Sequence, residues 1–399
     1  MRSPRLPTLR HAARAALVGV TLSLPLAGGC WSEPEWALVA RIDTLPWGTR
    51  LVNNYGTGAW DQVGPWGIHE DLRIGGAGGS GPDAFRDVAA LLPDWEGNVF
   101  VLEWRSQEVR VFDAEGRHVR TFGGRGREEG RLAGAAGMAW DPQGQLWVWD
   151  PVARRYSLFR RDGTFVREVE RPVLGVAYPW AGAVDWQWTL WDFGRLATVY
   201  QPEDGVYLES WVPVRIPMEE GRPETFPPVV LRRDLVGENL EGPFQGPFTA
   251  AVDPSGRLWF GDPRDYRLIK RNPAGDTLVV ATLPYRPKPV TPAERDSVVA
   301  AFAAGGAVLA PERVPYTWPV LRRLVADQDG HLFVFADLPD VEMGRAVDVF
   351  DSEGRYLGRL DLPTRLDLST RPVVRGDDLW AETRGPAGEP QVVRFRLRR

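Results

Sequence analysis

One cysteine, four histidines and four methionines are all that 399 residues contain, and each scarcity excludes something. A single thiol cannot form an internal disulfide or a cysteine-ligated metal cage. Beyond the first thirty residues the histidines are His69, His118 and His331, each alone in its segment, so a three-histidine metal site is not expected. No Gly-x-Ser-x-Gly elbow, Walker loop or dinucleotide fingerprint is present. Gly123-Gly124-Arg125-Gly126 is glycine-rich but leads into no helix, so it offers no phosphate cradle. A basic patch is lacking too. The formal charge is −5, and the first 29 residues hold Arg2, Arg5, Arg10 and Arg14 with no acid, which leaves 44 basic against 53 acidic residues in the rest. Such a surface repels phosphate backbones, and no nucleic-acid partner is expected. In the basic ending, Arg394, Arg396 and Arg398 alternate with Val393, Phe395 and Leu397, which is how a half-buried strand keeps its charges in water.

The apolar run from Ala15 to Gly29 is too short and too rich in small residues for a membrane span, which needs about 20 apolar residues. With its basic lead it reads as an export signal. Leu26-Ala27-Gly28-Gly29-Cys30 resembles the lipobox of bacterial lipoproteins. That resemblance implies acylation of the Cys30 thiol, cleavage just before it, and a cell-envelope location facing the periplasm or exterior, with the membrane reached through a lipid anchor only. Residues 1–29 are then a lipoprotein signal peptide, 30–70 a tether and N-terminal extension, and 71–399 the folded domain.

What is present in abundance is turn chemistry, with 43 glycines and 35 prolines, and it repeats. Gly97-Asn98-Val99-Phe100-Val101-Leu102-Glu103 returns 47 positions later as Gly144-Gln145-Leu146-Trp147-Val148-Trp149-Asp150. A fixed period of this size marks a repeat architecture. In each copy an Asp-x-x-Gly turn is followed by a second glycine turn, and Gly97 to Gly116, Gly144 to Gly163 and Gly256 to Gly275 are all 19 apart. Turns flanked by alternating apolar residues signal successive antiparallel strands. A looser copy has Gly330 and Gly354, with extra residues around Pro339 to Arg345. Another runs from Asp185-Trp186-Gln187-Trp188 to a second turn at Asp204-Gly205, and a degraded sixth spans Asp377 to Leu397 and stops one strand short. The segment near Leu72-Arg73-Ile74-Gly75 supplies the missing strand.

Six units of four strands make an all-β, six-bladed β-propeller closed by an N-terminal strand that completes the C-terminal blade; closure removes exposed sheet edges. The Asp-x-x-Gly turn, the aromatic strand after it, and Val347-Asp348-Val349-Phe350-Asp351-Ser352-Glu353-Gly354 resemble NHL-type repeats and the six-bladed propeller lipoproteins of bacteria built from them. Phe100, Trp147, Trp259, Phe333 and Trp380 occupy matching places and are expected in the core between blades, with Trp104, Trp180 and Trp211 left as surface contacts.

In each unit the second strand ends in an acid: Glu103, Asp150, Asp192, Asp262, Asp337 and, one place out of register, Glu382. Each either caps its own turn or joins a ring around the channel that would suit a cation or a polyhydroxyl ligand. Calcium, which takes several oxygen ligands, is the one cofactor such a ring would fit, and no cofactor motif is present otherwise. Long connections at 213–246 and 285–320 are expected on that same face, where loops on a rigid scaffold do their recognition. Thr291-Pro292-Ala293-Glu294 has the form of a capping box opening a helix with Val298, Val299 and Phe302 on one face, a lid over the rim. Glu241-Gly242-Pro243 resembles the metal-binding motif of lactonase-type propellers, although Phe244-Gln245-Gly246-Pro247 separates it from the next strand. The expected function is a monomeric, lipid-anchored binding or scaffolding module for a peptide, protein or glycan, with Glu103, Asp150, Asp192, Asp262, Asp337 and Trp104 as candidate contacts. The alternative is a lyase or lactone hydrolase that uses a channel metal.

Overall fold

The computed structural model describes residues 39–399 apart from 57, 77–79, 173–179, 197–198, 202–205, 219–220 and 237–239. The export signal and Cys30 lie outside the described residues. So does the Asp204-Gly205 turn.

The repeating turn is a carboxylate clasp. Asp94 Oδ1 accepts from the amides of Glu96 (2.8 Å) and Asn98 (2.9 Å), Asp253 Oδ1 from those of Ser255 and Arg257, and Asp327 Oδ1 from those of Asp329 and His331. This is the local bonding that makes Asp a turn residue. The fourth position sits at positive φ, 86° at Gly97 and 72° at Gly144. That conformation favours glycine and reverses the chain into the next strand.

Each turn joins an innermost strand to a second one, and six antiparallel sheets result. From inside to outside, blade one comprises Val88–Pro93, Val99–Glu103, Glu108–Phe112 and His118–Gly123; blade two comprises Gly137–Trp140, Leu146–Asp150, Arg155–Phe159 and Phe165–Glu170. Blade three is built on Ala183–Val184, Thr189–Arg195, Val206–Pro217 and Val229–Val236, and blade four on Ala250–Val252, Leu258–Gly261, Arg267–Arg271 and Thr277–Thr282. Blade five has Leu321–Ala326, Leu332–Ala336, Ala346–Phe350 and Tyr356–Asp361. Blade six has Val373–Arg375, Asp378–Arg384, Pro390–Arg398 and, as its outermost strand, Gly67–Ile74. The closing strand is therefore N-terminal, pairing Gly67 with Arg398 through Ile74 with Val392. The innermost strands touch from blade one round to blade six and back to blade one.

Packing between blades supplies six apolar cores, one per junction. Phe100, Trp147, Trp259, Phe333 and Trp380 are all buried in them, as their repeat position implies. The turn between third and outermost strands leans on the blade before it. A Cβ on Gly163 would lie 2.7 Å from the Phe122 ring of blade one, and one on Gly354 would lie 2.9 Å from Ala281 of blade four. Glycine recurs there because the neighbouring blade leaves no room for a side chain. Trp180 and Trp211 are buried as well, not surface contacts: Trp180 stacks on Trp149 at 5.7 Å and Trp211 on Phe248 at 4.8 Å.

Blade three departs from the sequence reading. The expected connection at 213–246 is mostly sheet. Val206–Pro217 pairs with the second strand through residues 211–217 and with the outermost strand through residues 206–211. Asp204-Gly205 therefore falls between second and third strands rather than between third and fourth. Pro213 and Pro217, which lack an amide donor and argue against a strand interior, sit opposite Phe193 and Thr189.

Residues 40–54, for which the sequence suggested no role, form a hairpin whose second strand, Arg50–Asn54, runs parallel to Thr277–Thr282 and covers the outer edge of blade four. Asn54 then ties this edge to blade five: its side-chain amide donates to the carbonyls of Thr282 and Gly354, both at 3.0 Å, and its oxygen accepts from the Tyr356 amide at 2.8 Å. The chain continues past blade five, where Trp60 packs on the bare backbone of Gly358, before closing blade six. The predicted helix is present as Pro292–Ala304, with both bonds of the Thr291–Glu294 capping box made. None of its residues is buried. Val298, Val299 and Phe302 rest against a small cluster of Leu309, Val314 and Phe244.

Candidate functional site: the mouth of the central channel

The acids at the ends of the second strands are occupied. Glu103 accepts from the amides of Arg86, Asp87 and Ser106, and Asp150 from those of Ala133, Gly134 and Ala153. In both, a carboxylate pins the chain that leads into its own innermost strand to the turn beyond its own second strand. Asp192 is buried and takes the Tyr156 hydroxyl, Arg171 Nε (2.7 Å) and Trp180 Nε1 (2.9 Å). Asp337 pairs with Lys288 Nζ at 3.0 Å and Arg322 Nη2 at 2.8 Å. Glu382 shares a hydrogen bond with the Thr370 hydroxyl, whose oxygen is also 2.7 Å from Val88 O of blade one, and lies 3.0 Å from Arg384 Nη2. Asp262 is partly exposed and pairs with its neighbour Arg264. Trp104 is partly buried between the first two blades. The side chain of Glu241 lies outside the described residues.

None of these residues lines the central cavity. That cavity, of about 710 Å3, is walled by the six innermost strands and rimmed by the Asp-x-x-Gly turns, so it opens on the opposite side of the ring from the acids and the long insert. The helix of that insert lines no part of it. Far from the turns, Arg371 leads into the innermost strand of blade six and reaches across the axis. Its guanidinium donates to Gly182 O (3.0 Å) and Trp180 O (3.5 Å) of blade three, which faces blade six, and to Leu324 O (3.4 Å) of blade five. Burial, assisted by the charge of Arg323, pushes the Arg371 pKa down to about 10.

The cavity wall is small and apolar, with Ala89, Ala136, Gly137, Ala183 and Val325 among its residues. Its rim is aromatic. Trp95 of blade one is 54% exposed, and Trp186 and Trp188 of blade three are 67% and 50% exposed. Trp95 lies over the turn of blade two, where a Cβ on Gly144 would come within 2.9 Å of its ring, and Arg161 stacks on it at 5.1 Å. Trp186 is fixed through its backbone, donating its amide to Pro254 O at 2.7 Å.

Trp188 is the exception in its turn. It holds the fourth position, where blades one, two, four and five have Gly97, Gly144, Gly256 and Gly330, and it adopts the same positive φ, 55°. A side chain in that conformation costs about 1 kcal/mol. The sequence did carry the signal. Asp-Trp-Glu-Gly and Asp-Trp-Gln-Trp place indoles at turn positions that ordinarily hold small or polar residues, yet the repeat drew attention to the strands instead.

Among the described residues one group could offer a metal three ligand atoms: Asp327, Asp329 and His331. It is filled by Arg399, whose guanidinium is 2.8 Å from Asp327 Oδ2 and also pairs with Asp329. A cation already placed between the carboxylates is a poor start for a metal site.

No protein-family profile and no curated protein matches the chain. Among solved structures it is similar to a member of the DUF4221 family from Bacteroides vulgatus, with 12% identity and a TM-score of 0.52 over 84% of this chain and 98% of that one. It is also similar to a candidate exported protein from Bacteroides fragilis (10% identity, TM-score 0.46, 88% and 100% covered) and to a gluconolactonase from Xanthomonas campestris (14%, 0.43, 78% and 86%). At 12% identity the first of these likenesses bears on the fold alone, whose six blades are seen in the sheets themselves, and function is left to the site.

Proposed function

We propose that the chain is an exported, NHL-like propeller of the bacterial cell envelope, anchored through Cys30, that binds a peptide, protein or glycan at the mouth of its channel. The observation that carries this reading is the rim. Exposed indoles are costly to leave in water, and a cavity of several hundred cubic ångströms with a few polar groups is the usual form of a ligand site. A strained backbone that persists at such a rim adds weight. The metal-enzyme alternative loses ground because the one candidate ligand group among the described residues is paired with Arg399.

Screening the full chain, in detergent, against an array of oligosaccharides and peptides should find ligands whose retention falls at least tenfold when Trp95 and Trp186 are both changed to Ala. Retention unaffected by that change but lost on replacing residues 288–314 would move the site to the other face. Incorporation of labelled fatty acid by the full chain, absent in Cys30→Ala, checks the anchor.

A further inference from the structure

We propose that the channel mouth takes a saccharide chain bearing a carboxylate, with the Arg375 guanidinium as partner of the anion and Trp95, Trp186 and Trp188 as platforms for the sugar rings. This rests on the reading of the mouth as a ligand site.

Arg375 ends the innermost strand of blade six, lines the cavity and is half-buried, and its side chain has no hydrogen bond or ion pair among the described residues. Burial lowers its pKa, and Asp94 acts against that shift. Asp94 is not free to pair with it. One of its oxygens holds the amides of Glu96 and Asn98, and the other holds the Asn98 side chain and Arg161, at 2.9 and 2.5 Å. A guanidinium has five donors in a fixed fork, and its natural complement is a carboxylate that accepts two of them at once.

The other charges of the cavity favour the same sign of ligand. Arg371 is bonded only to backbone carbonyls, so a second uncompensated cation lies further in. Asp141 and Asp185 also line the wall, but both their oxygens are engaged on the blade side. Asp141 takes the Gln145 amide and Trp147 Nε1, and Asp185 takes the amides of Gln187 and Thr189 and Trp191 Nε1. Asp327 is paired with Arg399. A protein of net charge −5 thus keeps, in this cavity, two guanidinium groups without carboxylate partners among the described residues.

Shape separates a saccharide from a peptide. The wall mixes small residues such as Ala89 and Gly137 with larger apolar ones such as Leu91 and Met138 in one continuous cavity, rather than the row of pockets for alternate side chains that an extended peptide uses. Flat indoles suit the C–H face of a pyranose ring. The positive φ of Trp188 holds its backbone in place beside the cavity, which lowers the ordering cost at binding.

Trigalacturonate, its methyl ester and an acidic aromatic peptide serve as probes, titrated into the full chain and followed by indole fluorescence and calorimetry. Trigalacturonate should bind at least tenfold more tightly than its ester, and Arg375→Gln should abolish that difference by weakening the acid far more than the ester. Trp188→Gly should weaken acid and ester alike by at least fivefold without lowering the unfolding temperature, because glycine relieves the backbone strain. Equal affinity for acid and ester, or discrimination that survives Arg375→Gln, overturns the proposal. Should only the peptide perturb the indoles, in a manner that Trp188→Gly weakens, the saccharide inference fails and the mouth stands as the site. If no probe binds, or Trp188→Gly changes nothing, the reading of the mouth fails with it.

Discussion

Asp150 shows how little of this molecule's carboxylate chemistry faces outward. It accepts from three amides that have no other partner among the described residues, two leading into a strand and one beyond a turn. Replacing it with Ala should cost about 3 kcal/mol, since each stranded donor loses a bond it cannot easily replace; urea unfolding measures this. Glu382, at the related place in blade six, behaves differently because burial, opposed by the Thr370 bond and reinforced by Asp367, raises its pKa from 4.5 to about 7. The folded chain therefore keeps a proton that the unfolded chain releases between about pH 4.5 and 7. Its contribution to stability falls as pH rises through that window and is constant above it. Glu382→Gln should remove that slope, on the order of 2 kcal/mol, when unfolding curves at pH 5 and 7.5 are compared with those of the unaltered protein. From sequence, these acids were visible as a ring of repeats. Their partners were not, because Ala133, Lys288 and Thr370 belong to connections of irregular length.

At the scale of elements, the turns and the capping box were legible because their signals are local. An aspartate bonds amides two and four residues on, and Thr291 meets Glu294 within one helical turn. Blade three departs from its sequence pattern for the opposite reason: Val206–Pro217 is held by partners on both sides, and this tertiary pairing overrides the warning its prolines give. The hairpin at 40–54 has no counterpart in the repeat and was silent. Its physical task is to cover an edge that would otherwise pair with other chains. Asn54→Ala breaks three bonds between that hairpin and blades four and five. It should cost about 2–3 kcal/mol and favour association, detectable by light scattering at neutral pH.

The ring as a whole is held by a strand from near one end of the chain lying beside a strand from the other. Ile74 packs at the junction of blades six and one, in their shared core and beside the Gly116 turn of blade one, where a Cβ would lie 3.3 Å from it. Ile74→Asp places a charge there. It should destabilise the protein by about 3 kcal/mol or more, with the loss appearing in the unfolding midpoint of the entire domain rather than of one blade. The repeat's period, its glycine turns and the missing last strand determined by themselves that six blades close in this way, since each hairpin is specified within about twenty residues and the defect at one end matches the surplus at the other. Which face of the ring opens, and with what chemistry, was decided only by tertiary structure. Arg371 crosses from blade six to blade three, the Arg375 side chain has no bonded partner among the described residues, and indoles from blades one and three stand at one rim. Residues that converge on an axis from six separate blades share no local pattern, so the sequence could place each of them on a turn or a strand without bringing them together.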